Sequence, residues 1–440
     1  MNSKERLALA HWVATEANKN GADEAAVNLS NSRDVSVQFR DRTLEELNES
    51  VQNSLSLSIY ANHRYSAHTT NDLRKESLER FISEAVAMTK YLSEDEFRTL
   101  PDPKHYTGRE DIDLQVYDEA YESVTSDERI RIATAIEDAA LGHSDRLISC
   151  TTGFNDSLYE SVKVHSNGFE GVRRGTSFSA GAEATVKGDG DNRPEDWDWR
   201  TVRFLKDMPA PEQLGINAVN RALGKLGQKK IESGTYDMII ENRTAGRFIY
   251  PLYGPMQASS LQQKNSWLDG KQGERIASDK LTMIDDPFIK SGLGSRLFDG
   301  DGIATKQRTI VDKGILKSYY IDWYYGRKMG LEPTVGSSTN LTFGLGNRSL
   351  DEMVKGLERG ILVTGFIGGN SNSLTGDFSY GIMGKLIENG QVVHPVNEMN
   401  ISGILVDIWN QLEEMGNDEW VYSSWRRPSM YFKDVQFSGI

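Results

Sequence analysis

The spacing of apolar residues changes twice within about the first ninety residues, and this pattern restricts the fold more than any other feature of the chain. Near the N-terminus, apolar residues recur at helical spacing at Leu7, Ala10, Val13, Ala14 and Ala17. Alternation of polar and apolar residues then begins, first around Val35, Val37 and Phe39 and later around Leu55, Leu57 and Ile59. Side chains repeat about every 3.6 residues in a helix and every second residue in a strand, so a helix followed by half-buried strands is predicted.

The same unit ends with a turn and a second helix. Asn62-His63 predicts a tight turn into a partner strand through Tyr65 and Ala67. Asn71 or Asp72 is a candidate N-cap for the next helix, because these side chains accept hydrogen bonds from free backbone N–H groups. The apolar face of that helix is predicted to consist of Leu78, Ile82, Ala85 and Met88. We therefore predict an α/β unit over residues 1–100.

A second unit, over residues 110–205, repeats this order of elements. A linker with Pro101, Pro103 and Gly108 precedes it, and its helix carries apolar residues from Ile130 to Ala140. Strands are predicted at Leu147-Ile148, around Val162 and Val164, and from Phe178 to Val186, with Asn167-Gly168 indicating a type I′ hairpin turn. We interpret the two units as a structural duplication that forms one N-terminal lobe.

The remaining residues, 206–440, differ in pattern from the two units before them. Leu214 to Leu226 predicts a helix that Gly227 ends, and Ile404 to Glu414 predicts another before a final strand. Between them lie closely spaced strands whose turns, such as Asp312-Lys313-Gly314 and Glu388-Asn389-Gly390, contain Gly.

Closely spaced strands with Gly at their turns favour a closed or strongly curved antiparallel sheet. The predicted class is therefore α+β, with duplicated helix-plus-antiparallel-strand units followed by a curved, mostly antiparallel, barrel-like C-terminal domain with helices.

Composition narrows the classes of function. The chain of 440 residues has a net charge of −14, and no run of Lys and Arg is longer than two residues. Nucleic-acid binding requires clustered positive charge, so we expect no nucleic-acid partner. A single cysteine, Cys150, excludes an intramolecular disulfide and a zinc site built from several cysteines. No apolar stretch approaches the roughly 18 residues that span a bilayer. The N-terminus shows no apolar signal core, and we expect a cytoplasmic protein without a membrane partner.

Three segments carry a resemblance to a known family. The first runs from Ala245-Gly246 through Tyr250-Pro251 to Gly254-Pro255, the second is Thr375-Gly376-Asp377-Phe378-Ser379, and the third runs from Leu386 to His394-Pro395. Together they resemble the TldD/PmbA family of peptidase U62 type, whose members were once called modulators of DNA gyrase. The resemblance covers most of the chain and is strongest from about Gly234 onward. It implies a two-subunit peptidase system and points to the metal-free, PmbA-like (TldE-like) branch.

The residues of the first segment support the assignment to the metal-free branch. In the TldD-like branch, an Ala-Gly pair is followed by His-Glu-x-x-Gly-His on a helix, where the two His bind zinc and the Glu acts on bound water. Here Ala245-Gly246 and Gly254 match in register, but Tyr250, Pro251 and Pro255 occupy the three chemical positions. The side chains of Pro251 and Pro255 carry no donor or acceptor. The phenol of Tyr250, with an ordinary pKa of about 10, is a poor zinc ligand at neutral pH.

The other requirements of the catalytic branch are missing as well. A third ligand expected from the resemblance, a Cys near the C-terminus, has no counterpart after Cys150. Prolines at positions 251 and 255 also predict a broken or kinked helix. We therefore expect no metal ion, no cofactor and no catalytic residue in this chain.

The sequence gives little support for another catalytic group in place of the metal. His63 and His68 fall in a predicted hairpin, on opposite faces because their separation is odd. The Asp285-Asp286-Pro287 and Asp299-Gly300-Asp301-Gly302 segments are typical of loops and turns. The Gly-rich stretch 368–376 lacks the Gly-Lys-Ser/Thr ending of a phosphate loop. An enzyme of unrelated chemistry would need a base and a nucleophile that these residues do not identify.

The sequence also offers candidate residues for contact with a peptide. The resemblance places the Thr-Gly-Asp-Phe-Ser stretch near the substrate cleft, so we expect peptide contacts from Gly376, Asp377 and Phe378, with Tyr253 and His394 as further candidates. Clustered aromatic residues fit ordinary packing, or alternatively a subunit interface; the clusters are Tyr319-Tyr320, Trp323-Tyr324-Tyr325 and Trp420-Tyr422-Trp425.

The resemblance implies a subunit of a cytoplasmic metallopeptidase complex that acts on peptides or small unfolded proteins, with zinc only in its partner. That partner is expected to be a paralogue with an intact His-Glu-x-x-x-His motif, or a second copy of this chain. The alternative is a stand-alone or homodimeric peptide-binding protein without hydrolytic activity.

Overall fold

The computed structural model describes residues 1–440, and its N-terminal lobe is built on one antiparallel sheet of six strands. The elements of its first half are α1 (Ser3–Lys19), β1 (Glu24–Arg40), β2 (Thr43–Ala61), β3 (Arg64–Thr70) and α2 (Lys75–Thr89). Those of its second half are α3 (Ser126–Leu141), β4 (Leu147–His165), β5 (Glu170–Val186), β6 (Glu195–Val202) and α4 (Pro211–Leu223). The strand order is β3-β2-β1-β4-β5-β6, so β1 and β4 join the two halves side by side.

The four helices cover one face of this sheet. Ala25, Val27 and Leu29 of β1 pack with α1 and α2, while Val37 and Phe39 of the same strand pack with α3 and α4. All five are odd-numbered, so they point to the same face of the strand. The opposite face carries no helix and looks towards the C-terminal part of the chain.

Several details of this lobe correct the sequence-based predictions. Neither Asn71 nor Asp72 caps α2: Arg74 is its N-cap residue and makes no side-chain cap, because a guanidinium has no acceptor atom. The Asp72 carboxylate accepts from the backbone N–H and the guanidinium of Arg74. Met88 is 59% exposed and lies outside the core. The Asn167-Gly168 hairpin is correct but not its turn type, because only Gly168 has a positive φ (106°).

The boundaries of two further elements were also wrong. β4 is one continuous strand from Leu147 to His165, not two. α4 ends at Leu223, followed by turns in which each N–H bonds the carbonyl three residues earlier, as Leu226 does to Leu223. Gly224 is the C-cap residue, and the Lys225 ammonium just beyond it pairs with the Asp196 carboxylate at 3.1 Å.

Elements of the C-terminal part begin with β7 (Gly234–Ile240), α5 (Gly246–Tyr253), α6 (Ala258–Gln262), β8 (Met283–Asp286), β9 (Arg308–Asp312), β10 (Ile315–Leu316), α7 (Trp323–Met329) and β11 (Asn340–Phe343). They continue with α8 (Leu350–Lys355), β12 (Arg359–Ser371), β13 (Asp377–Glu388), β14 (Gln391–Ile404), α9 (Leu405–Asn410), β15 (Leu412–Met415), β16 (Trp425–Arg426) and β17 (Met430–Ser438).

Five of these strands close into a barrel, in the order β14-β13-β12-β7-β17, because β17 also pairs with β14. Only the β7–β12 pair is parallel. The predicted closed antiparallel sheet is thus confirmed, as are the turns at Lys313-Gly314 and Asn389-Gly390, where both residues have positive φ. A second sheet has the order β10-β9-β8-β11-β16.

The predicted helix from Ile404 to Glu414 was only half right. Residues 405–410 are helical, but Leu412–Met415 form β15, which pairs with the start of β17. Leu412 and Met415 are buried on either side of partly exposed glutamates, a pattern that fits a strand end as well as a helix. No helix of the chain is long and apolar enough to cross a membrane.

The aromatic cluster of α7 lies between the two parts of the chain. The Trp323 indole N–H donates to the Thr99 carbonyl at 3.0 Å, and the Tyr324 hydroxyl donates to Asp95 at 2.6 Å. The Arg98 guanidinium stacks 3.4 Å from the Tyr324 ring centroid. These rings therefore join the N-terminal lobe to the C-terminal part within one chain, which supports the packing interpretation for this cluster.

Candidate functional site

The degenerate motif lies at one end of the barrel. β7 runs parallel to β12 and ends at Ile240, beside Val363, and α5 follows directly. At the start of α5, the Arg427 guanidinium donates to the carbonyls of Asn242 and Arg243, both at 2.9 Å. A Cβ atom on Gly246 would lie 3.2 Å from Arg427 Nε, so a glycine suits this close approach. The matching Ala-Gly pair is therefore retained for packing at the helix start.

Helix α5 is short, and its far end is rebuilt by the two prolines. It spans eight residues with Pro251 inside it, and it gives way after Tyr253 to a 3-10 turn that contains Pro255. Proline at position 251 cannot donate the intrahelical bond to Arg247. Phe248, on the inner side of α5, packs against Phe366, Phe378, Trp409 and Phe432 and fills the end of the barrel. The α-helix therefore continues through Pro251 and changes to a 3-10 turn only next to Pro255.

The three motif positions do not converge on one point. Tyr250 is 63% exposed, whereas Pro251 and Pro255 are buried. Two of the three side chains have no donor atom, and no group of three or more His, Cys, Asp or Glu side chains comes together to hold a metal ion. The residues present at this place do not fit a zinc ion.

Aromatic rings occupy the space beside α5 instead. The Tyr250 ring stacks on Trp425 at 6.3 Å and 24°, Trp425 packs edge-on against Tyr253 at 4.8 Å, and Tyr253 packs against buried Tyr320 at 5.0 Å. Ser338 holds two members in place: its N–H donates to Tyr253 Oη at 3.0 Å, and its Oγ accepts from the Trp425 indole at 3.1 Å. We call these four rings the aromatic ladder; its solvent end is Tyr250.

The β12–β13 hairpin forms the other side of the same barrel end. Trp267 connects it to α5, because the Trp267 indole donates to the Pro251 carbonyl at 3.4 Å and its backbone N–H donates to Ser373 at 2.8 Å. Gly376 has a φ of 80°, and a Cβ there would lie 3.4 Å from the Trp267 ring. Through Trp267, the structure thus brings α5, with Tyr253 and the motif positions, next to the hairpin that carries Gly376.

Beside this hairpin lies an open polar groove of about 550 Å³, lined by Asn265, residues 370–373 and residues 377–379. The Asp377 carboxylate is exposed and accepts from the Thr375 hydroxyl. Phe378, in contrast, is only 5% exposed and stacks on Tyr380 in the barrel core. Of this pair, Asp377 is therefore the side chain that is exposed at the groove.

His394 lies away from this end of the barrel. It pairs with Leu386, nine residues along β13 from Asp377, which corresponds to roughly 30 Å at about 3.3 Å per residue. Its Nδ1 lies 2.9 Å from the Pro395 carbonyl. The structure does not bring His394 to the site of the other candidates.

The acidic loop at residues 299–302 uses its carboxylates to order the chain. Asp299 accepts N–H groups from Asp301, Ile303 and Gly336 at 2.9, 3.0 and 3.3 Å, and Asp301 accepts from Trp323 N–H at 3.3 Å. Burial and the neighbouring Asp299 raise the pKa of Asp301 to about 6. These contacts agree with the predicted turn role.

Four residues of the site were not among the sequence-based candidates: Trp267, Tyr320, Ser338 and Trp425. They come from segments far apart in the chain and share no spacing with α5. Only Tyr320 and Trp425 carried a signal, each as part of an aromatic cluster.

Comparison with known proteins identifies family models and solved structures that match this chain. Family models for PmbA/TldA metallopeptidase domain 1, its central domain and its C-terminal domain match residues 25–89, 119–226 and 233–439. A Bacteroides thetaiotaomicron protein whose crystal structure bears the name modulator of DNA gyrase is 42% identical, with a TM-score of 0.97 and 100% of both chains covered.

Two further relatives are more distant. The metalloprotease PmbA of Escherichia coli O157:H7 is 28% identical over 432 residues, covering 97% of this chain and 95% of the relative. The crystal structure of TldE from Thermococcus kodakarensis has the same fold, with a TM-score of 0.87 at 20% identity over 98% of this chain and 100% of that one.

Proposed function

Because this chain belongs to the TldD/PmbA family of peptidase-like proteins, we propose that it is the metal-free subunit of a cytoplasmic metallopeptidase complex. The single observation that carries the proposal is the state of the motif. Tyr250, Pro251 and Pro255 replace His, Glu and His, and the side chains diverge between solvent and core. A chain with this barrel end has no means of its own to activate a zinc-bound water.

The same barrel end supports a part in holding substrate. The exposed Tyr250 ring, backed by Trp425, provides a flat apolar surface, and the adjacent polar groove offers Asn and Ser side chains and the Asp377 carboxylate. Aromatic surfaces flanked by polar groups bind extended peptides with little dependence on sequence. Tyr250, Tyr253, Gly376 and Asp377 are the residues we assign to peptide contact, directly or by shaping the surface.

In this proposal the partner supplies the chemistry. We expect a paralogue with an intact His-Glu-x-x-x-His motif to hold zinc and to pair with this chain as a heterodimer. The substrates are peptides or small unfolded proteins, because an open groove of this kind accommodates an extended chain more readily than a folded one.

A second candidate is a stand-alone or homodimeric peptide-binding protein. The observation in its favour is that the aromatic ladder and the groove are complete within one chain. Binding through these surfaces requires neither zinc nor a partner.

Hydrolysis of an unfolded fluorogenic peptide separates the two candidates. The purified chain is assayed alone, with the motif-bearing paralogue from the same genome, and with that paralogue after the motif Glu is changed to Gln. We expect hydrolysis by the mixture, faster than by the paralogue alone, and its loss with a zinc chelator or with the Gln variant.

Other outcomes would count against the subunit proposal. Hydrolysis by the paralogue that is unaffected by this chain, together with peptide binding by this chain alone, would favour the binding protein. Hydrolysis by this chain alone, insensitive to chelation, would overturn both and require another active site.

A further inference from the structure

A sizeable cavity lies away from the barrel end. It has a volume of about 820 Å³ and opens between the helix-free face of the N-terminal sheet and the loop of residues 291–298. Tyr159 and Ser161 of β4 and Arg173 of β5 form its floor, and residues 112–117 and 203–207 form its sides. A cavity of this size accommodates a small organic ligand or a few residues of peptide.

Several cations face this cavity without a carboxylate partner. Arg203 is 7% exposed, and its three hydrogen bonds go to the carbonyls of Gly292, Thr176 and Leu293. Arg296 donates only to Ser337 and Ser338, and Arg173 only to the carbonyls of Phe298 and Asp299. None of the three guanidinium groups has a carboxylate within the 4.0 Å of an ion pair.

This arrangement is unusual, because buried charges in proteins are normally paired. Arg173 Nε is buried and has no hydrogen-bond partner at all. Lys206, at the side of the cavity, makes no ion pair and lies 5.4 Å from the Phe204 ring centroid. The cavity therefore combines excess positive charge with free N–H donors.

The carboxylates around the cavity do not cancel this charge. Glu119 is engaged at the rim with Arg174 at 2.9 Å, where both side chains are more than half exposed. Asp113 accepts from the Gln115 N–H, and Asp207 is exposed at the edge. The Asp299 carboxylate acts on Arg173 only beyond ion-pair distance, and it is occupied by the backbone of its own loop.

We propose that this cavity binds a carboxylate, and that its ligand is the carboxyl end of a short peptide. The carboxylate would be held by Arg173 and Lys206, whose N–H groups are still free. Apolar side chains that include Leu114, Leu293 and Phe298 line the remainder and suit the last side chains of a peptide rather than a bare inorganic anion. The identity of the ligand as a peptide rests on the proposed function; the anion site itself does not.

The test uses the purified full-length chain without any partner, so it is independent of hydrolysis. Binding of N-acetyl-Leu-Phe with a free carboxylate is measured by isothermal titration calorimetry and compared with the same dipeptide as its C-terminal amide. A charge-assisted hydrogen bond is about twice as strong as a neutral one, so we expect the acid to bind at least about tenfold more tightly. Inorganic phosphate serves as a second probe.

Variants locate the site. Arg173→Gln and Lys206→Met should each weaken binding of the acid by about tenfold and leave the amide unchanged. Lys187→Met is the matched control, because Lys187 is exposed just beyond the opposite end of β5. Thermal unfolding by circular dichroism checks that each variant is folded, and the comparison of acid with amide on the unaltered chain needs no variant.

Equal affinity for acid and amide, or no binding of either at millimolar concentration, would overturn the proposal. So would phosphate binding at the same residues with no binding of the dipeptide acid, which would assign the site to inorganic anions. Failure of this test would leave the subunit proposal intact, and loss of activity in the mixed hydrolysis assay would leave the anion site intact.

Discussion

A buried ion pair joins α3 to the N-terminal sheet, and its removal gives a quantitative test of the packing. The Arg129 guanidinium of α3 donates to both oxygens of Asp156 on β4, at 2.5 and 3.1 Å, and to the Val124 carbonyl at 2.6 Å. The two side chains are 3% and 0% exposed. The pair thus connects α3 and the segment that enters it to the sheet.

We predict that Asp156→Asn lowers the free energy of unfolding by ~3 kcal/mol or more. The change keeps the shape of the side chain but leaves a buried guanidinium without its counter-charge, and breaking such pairs costs about 3–5 kcal/mol. The double variant Arg129→Met with Asp156→Leu should recover most of this loss, because it removes both charges and their desolvation together.

The same helix offers a matched control. Arg131 and Glu128 form an ion pair at 2.7 Å whose side chains are 63% and 38% exposed. Solvent screens such a pair, so Glu128→Gln should cost less than about 1 kcal/mol. Urea unfolding followed by far-UV circular dichroism measures all three variants. Equal losses for Asp156→Asn and Glu128→Gln, or no recovery in the double variant, would refute the reasoning.

Three further predictions concern the barrel end and the junction of the two parts. Tyr250→Ala should change the free energy of unfolding by less than about 1 kcal/mol, because the ring is 63% exposed, yet reduce hydrolysis by the mixed subunits severalfold. The control is Tyr91→Ala, whose ring is 90% exposed. Equal activity of the two variants would exclude a role for Tyr250 in hydrolysis. The triple variant Tyr250→His, Pro251→Glu, Pro255→His should not bind zinc in a competition assay with a chromophoric chelator, because positions 250 and 255 diverge; one zinc per chain would contradict this geometry. The pKa of Asp301 is raised to about 6, so the folded state binds the proton of this carboxyl group more tightly than the unfolded state does. The stability that this proton contributes is therefore full below about pH 4 and is lost as the pH rises through about 6. Burial also raises the pKa of the neighbouring Asp299, so Asp301→Asn should reduce that decline, not abolish it, in unfolding experiments at the two pH values. An unchanged pH profile would show that Asp301 does not contribute to it.

Local patterns were sufficient for most of the N-terminal lobe. The alternation in β1 and β2 and the turn at Asn62-His63, where both residues have positive φ, are as predicted. These signals are local, because a strand needs only alternating side chains and a hairpin only a turn that permits positive φ. Helix ends were less accurate: α4 stops at Leu223 with Gly224 as its C-cap, because either Gly224 or Gly227 is able to end the helix and apolar spacing does not choose between them.

Segments that depend on distant partners were harder to predict. Residues 412–415 form a strand because β17, fifteen or more residues later, offers an edge to pair with. Aromatic residues of α7 were compatible with packing or with a subunit interface, and only the fold shows that they lie against Asp95 and Thr99 of the N-terminal lobe. Sequence periodicity reports which residues are buried, not what they are buried against.

By itself the sequence determined the class of fold and the absence of ligand atoms at Pro251 and Pro255, because both follow from residue identity and local spacing. Tertiary structure alone decided what stands in place of those ligands. The ladder requires Tyr250, Tyr320 and Trp425, which lie far apart in the chain, and the cationic cavity requires Arg173 and Arg203 of one part against the loop at residues 291–298 of the other. Contacts between distant segments form only when the barrel closes and the lobe packs beside it, and no local pattern records them.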